Sequence, residues 1–287
     1  MNYLLFLLYT FLGGLSNETE SHTHSTYCDG KDQPEEMIQT AIAEKFDILG
    51  FSGHGHCIYD DASMSQQGQA KYIDEIRRLQ KQYADEIQIY LGIEQDILGR
   101  VPNPRDFDYI IGSAHFVEHE GQFMSVDYSE EMMCKILHEW FHDDFLEYAK
   151  TYYQNVRMMK DWDEVDIIGH LDLLTKYNEG NKYFDFENPK YVSIACDTID
   201  ALANKIFEVN TGAIARGYRT SPYPYKNLLA YMQEKNIRIC LNSDCHDRTK
   251  LACNFQESLE MIRSVGYSSM VILTSDGFKD LSLEAFQ

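Results

Sequence analysis

A chain of 287 residues with 46 acidic against 25 basic side chains, a formal net charge of −21, repels phosphate backbones, and this disfavours a non-specific nucleic-acid binder, which needs clustered Lys and Arg. Hydrophobic residues make up 44% and aromatics 13%, enough for a sizeable core, and no Pro-rich, Gly/Ser-rich or repeated segment marks a linker, so one large domain is expected. The 7 cysteines are odd in number and form no C-x-x-C pair, the pattern of reduced thiols in a cytoplasmic protein rather than of a disulfide framework.

The chain opens with MNYLLFLLYTFLGGLSNETE. Residues 3–12 are almost wholly apolar, but so short a run falls well below the roughly 20 residues of a membrane span, and the basic region of a secretory signal is missing. Residues 1–20 are therefore expected to be an extension with no role in the fold, and residues 21–287 a single domain. A weak signal peptide or an interfacial anchor are the other readings.

From there, β-branched runs alternate with segments of helical period, as in βα units around a parallel sheet. Strands are predicted at FDILGF (46–51), IQIYLGI (87–93), FDYIIGS (107–113), VDIIG (165–169), KIFEVN (205–210), IRICLN (237–242) and SSMVIL (268–273). Helices are predicted near 34–45, 69–84, 129–160, 189–204, 224–235 and 254–265. The first opens on Pro34, Glu35 and Glu36, which suit the positive end of a helix dipole.

Unusual polar residues fall after these strands. SHTHSTYCDG supplies His22, His24 and Asp29; His54 follows FDILGF, Glu94 follows IYLGI, His115 follows YIIGS, His170 follows DIIG, and Asp244 and His246 follow ICLN. An open sheet gathers such residues only at its switch point, whereas in a barrel every strand end meets at one mouth, so the pattern favours a barrel. Imidazoles and carboxylates suit borderline divalent cations such as Zn, Mn or Fe. Nine ligands are too many for one ion and about right for three, with Glu94 or solvent bridging.

Other histidines weigh less. His138 and His142 formally match H-E-x-x-H in HEWFH, but the helix is flanked by bulky aromatics and acids with no third ligand nearby. His56 and His119 sit in loops beside His54 and His115. Cys28 and Cys245 neighbour ligand candidates without the spacing of a thiolate site.

Taken in order, HTHSTYCDG, GFSGHGH, GIEQDI, GSAHF, DIIGHLDL, FEVNTGAIARGYRTSPYP and LNSDCH resemble the motifs of the polymerase and histidinol phosphatase (PHP) superfamily, over residues 22 to about 250, and most closely those of its histidinol-phosphate phosphatases. The resemblance implies an α/β fold, a distorted (β/α)7 barrel with the metal site at the C-terminal ends of the strands. It implies three divalent metals: His22, His24, Glu94 and Asp244 on one ion, Glu94, His115 and His170 on a second, Asp29, His54 and His246 on a third. Two departures touch the third. Gly53 stands where many relatives have an acid, and Asp29 where many have a histidine, with Asp32 its rival. The implied activity is a phosphomonoesterase of histidine biosynthesis, hydrolysing histidinol phosphate by attack of a metal-bound hydroxide on a small phosphomonoester.

Arg216 is the expected partner of the non-bridging phosphate oxygens, its planar fork matching two of them. His56, Tyr218 and Arg219 are further substrate-binding candidates, with Asp60, Asp61 and Glu118. The general acid stays open between a bound water, His54 and Asp244. Alternative readings keep the site but change its use: a phosphoesterase acting on nucleotides, or a metal-binding module without turnover. Nothing bears on oligomeric state.

Overall fold

Seven short strands pair side by side, all parallel. The structure, a computed structural model, describes residues 18–286, and the apolar stretch 3–12 lies outside the described residues. In order across the sheet the strands are β1 (Thr19–Glu20), β2 (Ile48–Phe51), β3 (Gln88–Asp96), β4 (Tyr109–Ser113), β7 (Ile167–Ile168), β8 (Ile206–Asn210) and β9 (Ile239–Asn242), while β5 (Phe116–His119) and β6 (Gln122–Ser125) form a separate antiparallel hairpin. Beyond the last strand the chain meets the first again. Thr23 bridges Cys245 in parallel, the His24 N–H donates to the Cys245 carbonyl at 2.8 Å, and the Cys245 N–H donates to the His22 carbonyl at 2.9 Å. The result is a nearly closed barrel.

Between the strands lie α1 (Pro34–Ala43), α2 (Gln66–Gln82), α3 (Glu130–Lys135), α4 (Phe145–Arg157), α5 (Pro189–Ala201), the single turn α6 (Gly212–Ala215), α7 (Lys226–Glu234) and α8 (Phe255–Ser264). Their ends follow local chemistry: the Ser65 hydroxyl accepts from the Gly68 N–H at the start of α2, and Asp144 caps α4 through the Glu147 N–H.

Three expectations are corrected. The barrel begins at Thr19, two residues before the boundary at 21, because β1 is needed to pair β2. The strand predicted at 268–273 exists as β10 (Ser269–Thr274) but pairs only with β11 (Gly277–Ser282), as an antiparallel hairpin outside the barrel sheet. The helix predicted over 129–160 is broken. A π-helical turn at Ile136–Trp140 follows α3, His142 and Asp143 take φ of 50° and 64°, and Asp144 restarts the chain as α4.

Strand alternation sorts the core into two layers. One set, including Ile110, Ile168, Phe207, Ile239 and Leu241, packs with the helices. The other set, Tyr109, Ile111, Ile167, Ile206 and Cys240, fills the lower barrel and is joined from below by Val271 and Leu273 of β10. Tyr109 is the bulkiest filler. Gly50 and Gly92 make its room, since a Cβ at Gly92 would lie 2.3 Å from its Cζ and one at Gly50 2.4 Å from its hydroxyl. That hydroxyl donates to the Ser21 carbonyl, tying β4 to the strand that leads into His22.

Candidate metal centre

Towards the carboxyl ends of the strands the barrel turns from apolar to ionic. Glu20 ends β1 and His22 lies two residues beyond it, His54 follows β2, Glu94 lies within β3, His115 follows β4, His170 follows β7, and Asp244 follows β9. Glu94 is the hub and is 1% exposed. Its Oε1 lies 3.0 Å from His170 Nε2 and 3.4 Å from His115 Nε2, and accepts from the Ser113 hydroxyl at 2.6 Å. Its Oε2 lies 2.9 Å from His54 Nδ1, 3.4 Å from His22 Nε2 and 3.6 Å from His24 Nε2.

Around that hub the nine candidates converge. Asp244 Oδ1 sits 3.3 Å from His24 Nε2 and 3.9 Å from His22 Nε2. Asp29, at the rim, places Oδ2 3.1 Å from His246 Nε2 and Oδ1 3.3 Å from His24 Nδ1 and 3.8 Å from His54 Nε2. Three overlapping groups offer ligand atoms close enough for a shared ion: His24, Asp29, His54 and His246; His22, His24 and Asp244; and His54, Glu94 and His115. His170 joins through Glu94. Asp32, the rival to Asp29, is turned away, accepting from the Arg248 N–H at 2.8 Å.

These residues fit divalent cations. His22 Nε2 and His24 Nε2 are fully buried without a hydrogen-bond partner, both aimed at carboxylates. A buried imidazole nitrogen left so is costly unless something electropositive is shared there. Burial works against charge on His22, His24, His54 and His115, yet there the carboxylates prevail. Glu208, Glu94 and Asp244 hold His22 well above its ordinary range, Asp244 and Asp29 do so for His24, and Glu94 raises His54. His115, beside Glu94 and Asp96, is raised to about 10. His246 alone of these is lowered, by burial and by the neighbouring His24. Burial likewise opposes ionisation of the carboxylates and is overruled: Glu94 is held well below its range by His54, His22 and His115, and Asp244 by Arg216 and His22. Cations would replace the protons that the metal-free cluster otherwise holds.

Sequence reasoning missed the carboxylates behind the ligands. Glu208 Oε1 accepts from His22 Nδ1 at 2.6 Å, Asp96 Oδ2 meets His115 Nδ1 at 3.1 Å, and Glu20 accepts the His22 N–H at 2.7 Å and the Ser243 N–H at 2.8 Å. Their signal was parity: each lies an even number of residues from an inward-facing position on its own strand. Burial, only partly offset by the Ser243 and His22 donors, raises Glu20 to about 7.

Arg216 lies beside the cluster. Its Nη2 donates to Asp244 Oδ2 at 3.0 Å and its Nη1 to His246 Nδ1 at 3.1 Å, with 32% of the side chain open to solvent. Tyr218 is 41% exposed and lines a neighbouring cleft with Tyr128 and Tyr177. Two substrate-binding expectations are corrected. Arg219 is 3% exposed, lies between the rings of Tyr223 and Tyr225, and donates to Thr175 Oγ1 at 2.7 Å and to the Pro222 carbonyl at 3.2 Å, so it braces the loop rather than the mouth. His56 points to the Met64 carbonyl at 3.0 Å and lines none of the cleft at the cluster. His138 pairs with Asp143 on the surface, His119 stacks on Trp140, and Glu118 caps its own turn at Gly121.

A cleft of about 370 Å³ opens onto the cluster, bounded by Asp29, His54, His115, Asp60, Asp61, Asp127 and the rings of Tyr59 and Tyr128. The larger cleft, about 450 Å³, is at the opposite end beside β10 and β11 and holds no histidine or cysteine. All seven cysteines are free thiols, and among the described residues no helix is long and apolar enough to cross a membrane.

Residues 20–212 match the family model described as the PHP domain. A Schizosaccharomyces pombe protein named "Probable histidinol-phosphatase" is 26% identical over 279 residues, covering 88% of each chain. The histidinol-phosphatase of Bacillus subtilis is 20% identical over 263 residues, 84% of this chain and 98% of its own. In fold, the chain is similar to the histidinol phosphate phosphatase of Lactococcus lactis solved with Zn, L-histidinol and phosphate. The TM-score is 0.68 at 20% identity, over 92% of this chain and 99% of the other.

Proposed function

This chain belongs to the PHP domain family, and on that premise we propose that it is a metal-dependent phosphomonoesterase whose substrate is histidinol phosphate, cleaved to histidinol and inorganic phosphate. The observation that carries the reading is the pair of buried, unpartnered nitrogens, His22 Nε2 and His24 Nε2, facing Glu94 and Asp244. Up to three ions of the Zn, Mn or Fe class would be held by His22, His24, Asp29, His54, Glu94, His115, His170, Asp244 and His246. When bound, they would supply an acidified water and Lewis-acid stabilisation of the phosphoryl oxygens.

The chain's own groups do the remaining work. Arg216 turns its guanidinium to the phosphate, a charge-assisted contact suited to two non-bridging oxygens, while Asp244 and His246 fix the fork in place. Asp29, Asp60, Asp61 and Asp127 line the cleft above, so the far end of the substrate meets negative potential, which favours a cationic amine and a protonated imidazole. The same rim disfavours a polyanionic strand. Relatives named for histidinol phosphate support this choice of ester.

The test is phosphate release from histidinol phosphate, a nucleoside monophosphate and an aryl phosphate, with and without chelator, alongside metal analysis. Preference for histidinol phosphate with loss on chelation is expected. Preference for the nucleotide would replace the substrate, and inactivity on all three with metal bound would leave a binding module.

A further inference from the structure

We propose that Glu208 is the positioning residue that fixes which nitrogen of His22 faces the metal cluster, by accepting the Nδ1–H hydrogen bond from behind; this rests on the metal reading above. Glu208 lies on β8 and is fully buried, and its four hydrogen-bond partners are all donors. Its Oε1 accepts from His22 Nδ1 at 2.6 Å and Asn242 Nδ2 at 2.9 Å, and its Oε2 from the His170 N–H at 2.9 Å and Asn210 Nδ2 at 2.9 Å.

Those amides have no freedom to turn round. Asn242 Oδ1 is occupied by the Ser21 N–H at 3.0 Å and the Ser21 hydroxyl at 2.7 Å, and Asn210 Oδ1 by the Gly212 N–H at 2.9 Å. Both NH2 groups must face Glu208. A carboxylate only accepts, so the close contact to His22 requires a hydrogen on Nδ1. An imidazole keeping that one proton presents a lone pair at Nε2, the atom that lies unpartnered before Glu94 and Asp244. Because its other oxygen holds the His170 backbone, one carboxylate sets two candidate ligands at once.

Glu208→Gln changes shape little and breaks this logic. Whichever way the amide turns, its NH2 confronts donors. On the Oε1 side His22 must move its proton to Nε2 and block the site; on the Oε2 side the His170 N–H and Asn210 lose their acceptor.

The experiment uses the full chain stripped with chelator and titrated with Zn against a competing chromophoric chelator, together with the melting temperature of the metal-free form. The expected result is that Glu208→Gln, titrated well below its own melting temperature, binds its tightest Zn about 10- to 100-fold more weakly than the parent, and that its metal-free form melts lower, since the buried amide faces donors. Equal Zn affinity in parent and variant would overturn the inference and leave the metal reading standing. Absence of Zn binding by the parent would overturn both. A second measurement needs no variant: long-range 1H–15N spectra of the Zn-loaded parent should show His22 protonated at Nδ1 and metal-shifted at Nε2, and the reverse pattern would overturn the role of Glu208.

Discussion

Glu94→Gln separates a hub carboxylate from a merely polar one. Glu94 stands within 3.6 Å of nitrogens on five imidazoles, and the variant keeps its size while removing the charge. An opposite charge at such range moves a pKa by roughly 1–3 units, or about 1.4–4 kcal/mol. In the metal-free variant His115 should therefore titrate well below the value of about 10 it has beside Glu94. The sign for stability follows from both partners. Raised histidines stabilise the fold fully below their unfolded value of 6.5 and lose that contribution as pH climbs through the folded value; the depressed Glu94 stabilises above 4.5 and fails only on strong acidification. The parent's advantage over Glu94→Gln should accordingly be largest between about pH 5 and 6 and shrink toward pH 10. Urea denaturation of the stripped proteins across that range, with histidine NMR titration, measures it. Zn affinity should fall at least about 100-fold, since a side chain shared between ligand groups is lost. Unchanged histidine titration together with full metal retention would refute the hub.

Adding Zn to the stripped parent at pH 7 should release about two or more protons per chain, because raised histidines must give theirs up; calorimetry in buffers of different ionisation enthalpy counts them. Arg216→Ala should keep its metal and lose about 10- to 100-fold in kcat/KM, roughly 1.4–2.7 kcal/mol, mostly through KM, as read by steady-state kinetics and metal analysis. Asp29→Asn should weaken metal retention while Asp32→Asn, whose carboxylate serves Arg248, should not. Gly92→Ala should destabilise by about 1–3 kcal/mol or more in urea, since its methyl enters the volume of Tyr109.

What the sequence made legible was whatever repeats along the chain. Six barrel strands stand out because each is a β-branched run, and the ligands from His54 onward are readable because each comes at or after the end of such a run, whereas His22, His24 and Asp29 show only through their own spacing in SHTHSTYCDG. β1 was not legible: two residues, Thr19 and Glu20, carry no periodicity, and only pairing with Ile48 and Leu49 makes them a strand. β10 reads like any other strand locally, and its exclusion from the sheet is decided by the chain closing earlier, at Cys245. His56 and Arg219 were drawn toward the site by nearness in sequence, but His56 is two residues past a ligand in a turning loop and Arg219 is claimed by two tyrosine rings. Glu20, Asp96 and Glu208 were missed for the opposite reason: each shares the inward parity of its strand, but parity alone does not say that a histidine stands in front of it.

The seam of the barrel has a consequence for how the protein is made. Ser21 meets Asn242 across 221 positions of chain, and His24 is fastened to Cys245 by the backbone. A ribosome still holding β9 exposes histidines that have no partners, so the emerging polypeptide can capture ions only loosely and in the wrong combinations. Tight loading of the proposed site would wait until synthesis has passed Asp244 and His246, so the closed seam would organise the ligands rather than an early-bound ion.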